Sequence, residues 1–164
     1  MNGMFCSAYN FNQPITGSTV TVGTKTYEAW NTKKVTSFRS IFYNAYHALA
    51  TMSFQQPIGE WDVSSSMDMS SMFQYNENFN QDLSKWNTSN VTNMSSMFRG
   101  ASSMQYDLSS SYQNHPTRGE YIAWDTSNVT NMAFMFENTL SSKVQTSGYN
   151  SNINNWNTSQ VIGS

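Results

Sequence analysis

Apolar side chains recur along the chain at spacings of three and four residues. The clearest run lies at i, i+3, i+6, i+7 and i+10 and consists of Val91, Met94, Met97, Phe98 and Ala101. This spacing is one face of a helix and cannot be one face of a strand, whose side chains alternate with a period of two. A hydroxyl side chain just before such a run can cap the first helical turn. The pattern therefore predicts a helix that begins near Ser89 or Asn90.

A second pattern precedes these runs. Pairs of apolar residues at even spacing flank polar residues, at Phe11 and Ile15, Phe54 and Ile58, and Phe79 and Leu83. Even spacing suits a short strand with one buried face. Each period is therefore predicted to contain a strand, a turn, a helix and a second turn.

Tryptophan marks a tandem repeat. Each tryptophan is followed directly by Asn or Asp, and the first four are followed twelve residues later by phenylalanine. Fixed spacing of this kind indicates repeated structural units. The Asn or Asp is predicted to lie in a turn, where its side chain bonds backbone amides. We predict that the repeat core contains Trp30, Trp61, Trp86, Trp124, Trp156, Phe42, Phe73, Phe98 and Phe136.

Stacking of the copies predicts the fold class. We expect an α/β, leucine-rich-repeat-like solenoid over residues 1–164, with about five repeats of roughly 25 residues. Short parallel strands would lie on one side and helices on the other. The chain begins and ends inside a repeat, so we interpret it as a fragment of a longer repeat protein. Insertions are predicted near 16–29, 48–53, 109–123 and 141–147.

Four segments carry a resemblance to a known family. They are FNQPI at Phe11, FQQPIGEWDVS at Phe54, FNQDLSKWNTSNVTNMSSMF at Phe79 and WDTSNVTNMAFMF at Trp124. Here the chain resembles the BspA-type leucine-rich-repeat surface proteins, in the branch with mycoplasma-lipoprotein-type repeats. The resemblance implies a secreted or surface-displayed protein that binds or adheres, and it supplies no active-site residues.

Composition narrows the possible partners. Charged residues make up 11% of the chain, against about 25% in typical soluble domains. The formal net charge is -2 and there is no basic run, so we expect no nucleic-acid partner. No window approaches eighteen consecutive apolar residues, so we expect no membrane insertion within this segment. The single Cys6 excludes an internal disulfide.

Metal and cofactor chemistry has little support in the sequence. The eleven methionines could act as soft copper ligands, but Ile41 and Phe38 take equivalent places, which favours core packing. The tryptophans could form a row that stacks on sugars, although their fixed register favours burial. His47 and His115 are far apart in the sequence and do not form a metal pair. We therefore expect no cofactor and no metal.

The two longer insertions are the candidates for local function, because repeats supply a scaffold and extra loops carry what differs. Alternating residues around Gly23 make the insertion at 16–29 hairpin-like. The insertion at 109–123 is predicted to be an exposed loop, and both insertions stand directly before the tryptophan of their copy. Both are therefore predicted to leave the same edge of the solenoid and to flank one contact surface. Their candidate contact residues are Thr19, Thr21, Lys25, Tyr27, Tyr112, His115, Arg118, Glu120 and Tyr121.

These features predict a non-enzymatic module, although His115, Arg118 and Glu120 place a base, a cation and an acid in one loop. The exposed setting of that loop favours surface contact over catalysis. We expect an extracellular or cell-surface repeat that serves in adhesion or binds a protein or glycan. The alternative is a structural segment that assembles head-to-tail with identical copies into a filament or a larger surface assembly.

Overall fold

A computed structural model describes residues 1–46, 48–139 and 153–162. Its strands are β1 (Ser18–Val22), β2 (Lys25–Ala29), β3 (Ser111–His115) and β4 (Gly119–Ala123). They form two separate antiparallel hairpins, β1 with β2 and β3 with β4. The described ranges contain no helix and consist mainly of turns and irregular backbone around an aromatic core. The predicted α/β leucine-rich-repeat-like solenoid is therefore wrong, and no helix that could span a membrane occurs in these ranges.

Consecutive turns take the place of the predicted helix. Within one copy, the amides of Met97, Arg99 and Ala101 each donate to the carbonyl three residues earlier. The alternate amides donate to the next copy instead, in the pairs Met94 to Asn131, Ser96 to Ala133, Phe98 to Met135 and Gly100 to Glu137, at 2.8–3.0 Å. Because each turn also brings every third or fourth residue inward, the apolar positions match those of a helix. The periodicity identified the buried residues but not the backbone conformation.

Left-handed residues explain why the turns do not continue as a helix. Ser96 and Gly100 have φ values of 55° and 70°, and Ser71 and Tyr75 have φ values of 55° at the same positions in the preceding copy. A left-handed residue ends the right-handed backbone and costs a non-glycine residue about 1–2 kcal/mol. The hydrogen bonds to the neighbouring copy offset this cost.

The predicted parallel strands do not occur in residues 1–46, 48–139 and 153–162. Phe54, Ile58, Phe79 and Leu83 are buried as the even spacing implied, but they lie in irregular backbone between turns. Parallel pairing is limited to isolated bridges that connect four successive copies through Ser37, Asp68, Asn93 and Asn131. The insertion near 48–53 has no regular structure, and the one near 141–147 lies outside the described residues.

Stacked aromatic rings fill the core. One column runs through Phe5, Phe42, Phe73, Phe98 and Phe136, with ring centroids 5.6–5.8 Å apart and nearly parallel planes. A second column packs against it at 4.0–4.1 Å through Phe11, Phe54 and Phe79. Among the predicted core residues, Trp30 and Phe136 are partly buried. The others are buried: Trp61, Trp86, Trp124, Trp156, Phe42, Phe73 and Phe98.

Tryptophan ties each copy to an earlier one. Four indole Nε1–H groups donate to a backbone carbonyl of the preceding copy, in the pairs Trp61 to Ile15, Trp86 to Ile58, Trp124 to Leu83 and Trp156 to Leu108, at 2.8–3.2 Å. The following Asn or Asp accepts from the amide two residues later, as predicted, at Asn31, Asp62, Asn87, Asp125 and Asn157. The same turn therefore follows all five tryptophans, and the same buried donor recurs at the last four.

Gly59 should tolerate no side chain. A Cβ at this position would overlap the backbone carbonyl of Asp82 in the next copy, and a backbone atom cannot move aside as a flexible side chain can. We expect Gly59→Ala to lower the free energy of unfolding by about 1–3 kcal/mol. Gly17→Ala is the matched control, because its Cβ would meet only an ordinary contact at 3.5 Å from Glu28 Oε1. Equal urea midpoints for the two variants would contradict the close approach of these copies.

Candidate binding groove between the two hairpins

The first hairpin is the structure that its alternating sequence predicted. Val22 pairs with Lys25 across a two-residue turn that begins at Gly23, whose φ is 62°. Glycine at the first turn position provides the left-handed conformation that such hairpins need. Thr19, Thr21, Lys25 and Tyr27 are exposed, so most of this hairpin projects into solvent.

The segment predicted as a second exposed loop is also a hairpin. His115 pairs with Gly119 around a turn at 116–118, and the φ of 75° at Gly119 suits glycine. Tyr112 and Ile122 are a cross-strand pair, and both are more than half exposed. Tyr121 lies on the more buried side, so the hairpin has one free face and one packed face.

The packed face is bonded to two earlier copies. Arg118 Nη2 lies 3.2 Å from Glu60 Oε2, and Arg118 Nη1 donates to the Trp61 carbonyl at 3.4 Å. Tyr121 Oη donates to the Lys85 carbonyl at 2.7 Å. Burial raises the pKa of Tyr121, the nearby Arg118 charge opposes that rise, and the Glu60 and Asp62 charges add to it. The insertion is thus docked on the scaffold and not free.

His115 is engaged in the same contact. Its Nε2 lies 2.8 Å from Arg118 Nη2 and 3.4 Å from Glu60 Oε2, and its Nδ1 lies 3.3 Å from the Thr117 amide. Among the described residues Glu120 forms no ion pair with either side chain, and its hydrogen bond with Tyr112 is the main reason that the pKa of Tyr112 is raised. The base, cation and acid of the loop are therefore not assembled into one site.

A groove of about 800 Å³ opens between the hairpins. One part of the groove is lined by Thr16, Gly17 and Glu28 at the base of the first hairpin and by residues 30–33 after it. His115, Thr117 and Arg118 of the second hairpin line another part. The copies between the hairpins contribute Pro57, residues 59–62, Gln81, Asp82, Lys85 and Tyr106. Both insertions therefore border one concave surface, as their shared junction had suggested.

Only part of the predicted contact set lies in this groove. His115 and Arg118 line it, and Tyr121 lines a smaller adjoining pocket with Glu60 and Lys85. Neither pocket includes Thr19, Thr21, Lys25, Tyr27, Tyr112 or Glu120. Four charged residues of the groove were not predicted from the sequence, namely Glu28, Lys33, Glu60 and Asp82. Asn31 and Asp62 also line the groove, and their nearness could have been predicted. Each follows the tryptophan of its copy, and equivalent positions of neighbouring copies lie side by side in a stack of repeats.

The polar side chains of the groove are held in place. Asn31 accepts from the Lys33 amide at 3.1 Å and donates to Glu28 Oε2 at 2.8 Å. Asp62 Oδ1 accepts from Ser64 Oγ at 2.6 Å, and Asp82 Oδ1 accepts from the Ser84 amide at 2.9 Å. Fixed groups lose little conformational freedom when a ligand binds. No group of three metal-ligating side chains occurs among the described residues.

The charges in the groove nearly cancel. Four carboxylates line it, and they face three cationic side chains and His115. The carboxylates are Glu28, Glu60, Asp62 and Asp82, and the cations are Lys33, Lys85 and Arg118. The formal sum is one negative charge. The groove therefore has no strong field that would draw in a polyanion or a polycation.

A family model described as "Mycoplasma protein of unknown function, DUF285" matches residues 1–48, 17–122 and 119–163. The chain belongs to the DUF285 family. DUF285 repeats thus extend over the whole chain, and the finer BspA-type assignment stays a resemblance. No curated protein and no solved structure matches the chain. Since the DUF285 description assigns no function, a functional interpretation must come from the groove itself.

Proposed function

We propose that this chain is a non-enzymatic binding module of a secreted or surface-displayed protein, and that the groove between the hairpins is its contact site. The observation that carries the proposal is the groove itself. Two insertions separated by about three copies are brought to one concave surface, and that surface is lined by fixed polar side chains. Binding residues are commonly placed on loops that a rigid scaffold positions.

The geometry favours binding over catalysis. His115 Nε2 faces a guanidinium nitrogen at 2.8 Å, an arrangement that occupies the nitrogen a general base would need. Cys6 is exposed near the start of the chain, and its thiol makes a weak 4.0 Å contact with Ser7 Oγ. The surface location is supported by the resemblance to BspA-type surface proteins, which also supports adhesion to proteins or glycans.

Binding can be tested with a panel of immobilised fibronectin, laminin and mucin, measured by biolayer interferometry. We expect at least one of them to bind the wild-type chain. Glu28→Arg should weaken that binding about tenfold, equivalent to about 1.4 kcal/mol, because it places a cation in the groove. Glu120→Arg makes the same charge change on an exposed hairpin position outside the groove and should have little effect. Equal losses in both variants would contradict a groove site.

The alternative function is head-to-tail assembly of identical copies into a filament or larger surface assembly. It predicts that the mass measured by light scattering grows with protein concentration. The binding proposal predicts that the protein stays monomeric over the concentrations used for binding. Growth of the mass together with loss of panel binding would favour the assembly role.

A further inference from the structure

The groove is lined by acidic and basic side chains, and its acceptors at Asn31, Asp62 and Asp82 are fixed by turn bonds. We infer that it binds an uncharged oligosaccharide. This inference rests on the proposed function and gives its ligand class. The shared chemistry is a chain of neutral sugars, whether free as a polysaccharide or attached to a glycoprotein.

Acceptors and donors of the groove suit hydroxyl groups. Asp62 and Asp82 line the groove, and each uses Oδ1 for an internal turn bond, so the turn bond orients the carboxylate and leaves its second oxygen as an acceptor. Lys33 provides an ammonium donor in the same groove, and Lys85 and Arg118 add cationic groups that are paired with Glu60. Each sugar hydroxyl both donates and accepts a hydrogen bond, so a lining that offers both roles can satisfy it.

The charge balance argues against an anionic ligand. A sulfated glycan or a nucleic acid would need a surplus of cations, whereas the groove carries a formal surplus of one anion. A peptide partner would be expected to anchor an apolar or aromatic side chain in a desolvated pocket. Trp61 is only 2% exposed, and the more accessible aromatic residues of the groove are the partly buried Trp30 and the 43% exposed Tyr106. Aromatic surface beside polar groups suits the apolar faces of sugars.

Asp82→Asn is the decisive variant. Asparagine keeps an oxygen to accept from the Ser84 amide, but it replaces the second carboxylate oxygen by a donor and removes one negative charge. We expect the affinity for an uncharged oligosaccharide to fall about tenfold. An anionic ligand would instead bind more tightly. Asp107→Asn is the matched control, because Asp107 makes the same turn bond to the Ser109 amide at 2.8 Å outside the groove.

The probes are cellohexaose, chitohexaose and maltohexaose in isothermal titration calorimetry, with a heparin hexasaccharide for comparison. Ribonuclease B and its unglycosylated form, ribonuclease A, test a glycoprotein source. We expect at least one uncharged hexasaccharide, or ribonuclease B but not ribonuclease A, to bind with little dependence on salt. Asp82→Asn should weaken this binding and Asp107→Asn should not.

Three results would overturn the inference. The first is binding of the heparin hexasaccharide but of no uncharged sugar. The second is tighter binding of an uncharged sugar by Asp82→Asn than by the wild-type chain. The third is failure of every sugar probe while fibronectin, laminin or mucin still binds after its glycans are removed. The last result would leave the groove as a protein-binding site. Failure of the sugars and of the whole protein panel would overturn the proposed function as well.

Discussion

Replacing Phe73 with alanine should lower the free energy of unfolding by about 3–5 kcal/mol. The side chain is fully buried. Its ring lies 5.8 Å from Phe42, 5.6 Å from Phe98 and 4.0 Å from Phe79, so its removal would leave a cavity where three copies meet. The adjacent rings belong to a continuous column and cannot close the gap without shifting their own neighbours.

Urea unfolding followed by tryptophan fluorescence measures this loss. Phe134→Ala is the control, because Phe134 belongs to the same kind of turn but is 60% exposed, and we expect it to cost about 1 kcal/mol or less. The column would not be the core of the protein if the two substitutions changed the urea midpoint by the same amount.

Replacing Trp86 with phenylalanine should cost about 2–3 kcal/mol. The variant loses indole volume at a fully buried position and leaves the Ile58 carbonyl without the donor that now lies 3.2 Å away. A buried carbonyl that loses its partner adds its desolvation cost to that of the cavity.

Trp30→Phe provides the comparison for this substitution. Trp30 is only partly buried, and within the described residues its indole has no carbonyl bond like those of the other four tryptophans. We expect this change to cost about 1 kcal/mol or less. Guanidinium unfolding curves of the two variants measure the difference. Equal losses in the free energy of unfolding would mean that the indole-to-carbonyl bonds do not stabilise the fold.

The sequence predicted which residues are buried better than it predicted the elements that bury them. Val91, Met94, Met97 and Phe98 are all buried, as their spacing required. A helix and a series of turns closed three residues apart place the same positions inward, so hydrophobic periodicity cannot separate them. The deciding feature is the left-handed backbone at positions such as Ser96, and serine carries no sequence signal for that conformation as glycine does.

The groove was only partly predictable for a related reason. The hairpin at 16–29 follows from local alternation around Gly23. By contrast, the contact between Arg118 and Glu60 joins residues 58 positions apart, and it depends on how far each insertion folds back over earlier copies. The shared junction of the two insertions indicated a common edge, but spacing alone could not show that Asp82 and Lys85 lie between them.

Turns bonded from copy to copy, and not helices, form the scaffold that holds both hairpins at one groove. Assigned NMR spectra over residues 91–101 distinguish these two backbones. We expect Cα shifts with no continuous helical run and with interruptions at Ser96 and Gly100. We also expect the Phe73 amide to show contacts to the Met97 and Phe98 backbone in the neighbouring copy. An unbroken run of helical shifts from Val91 to Ala101, without contacts between these copies, would contradict a scaffold of turns.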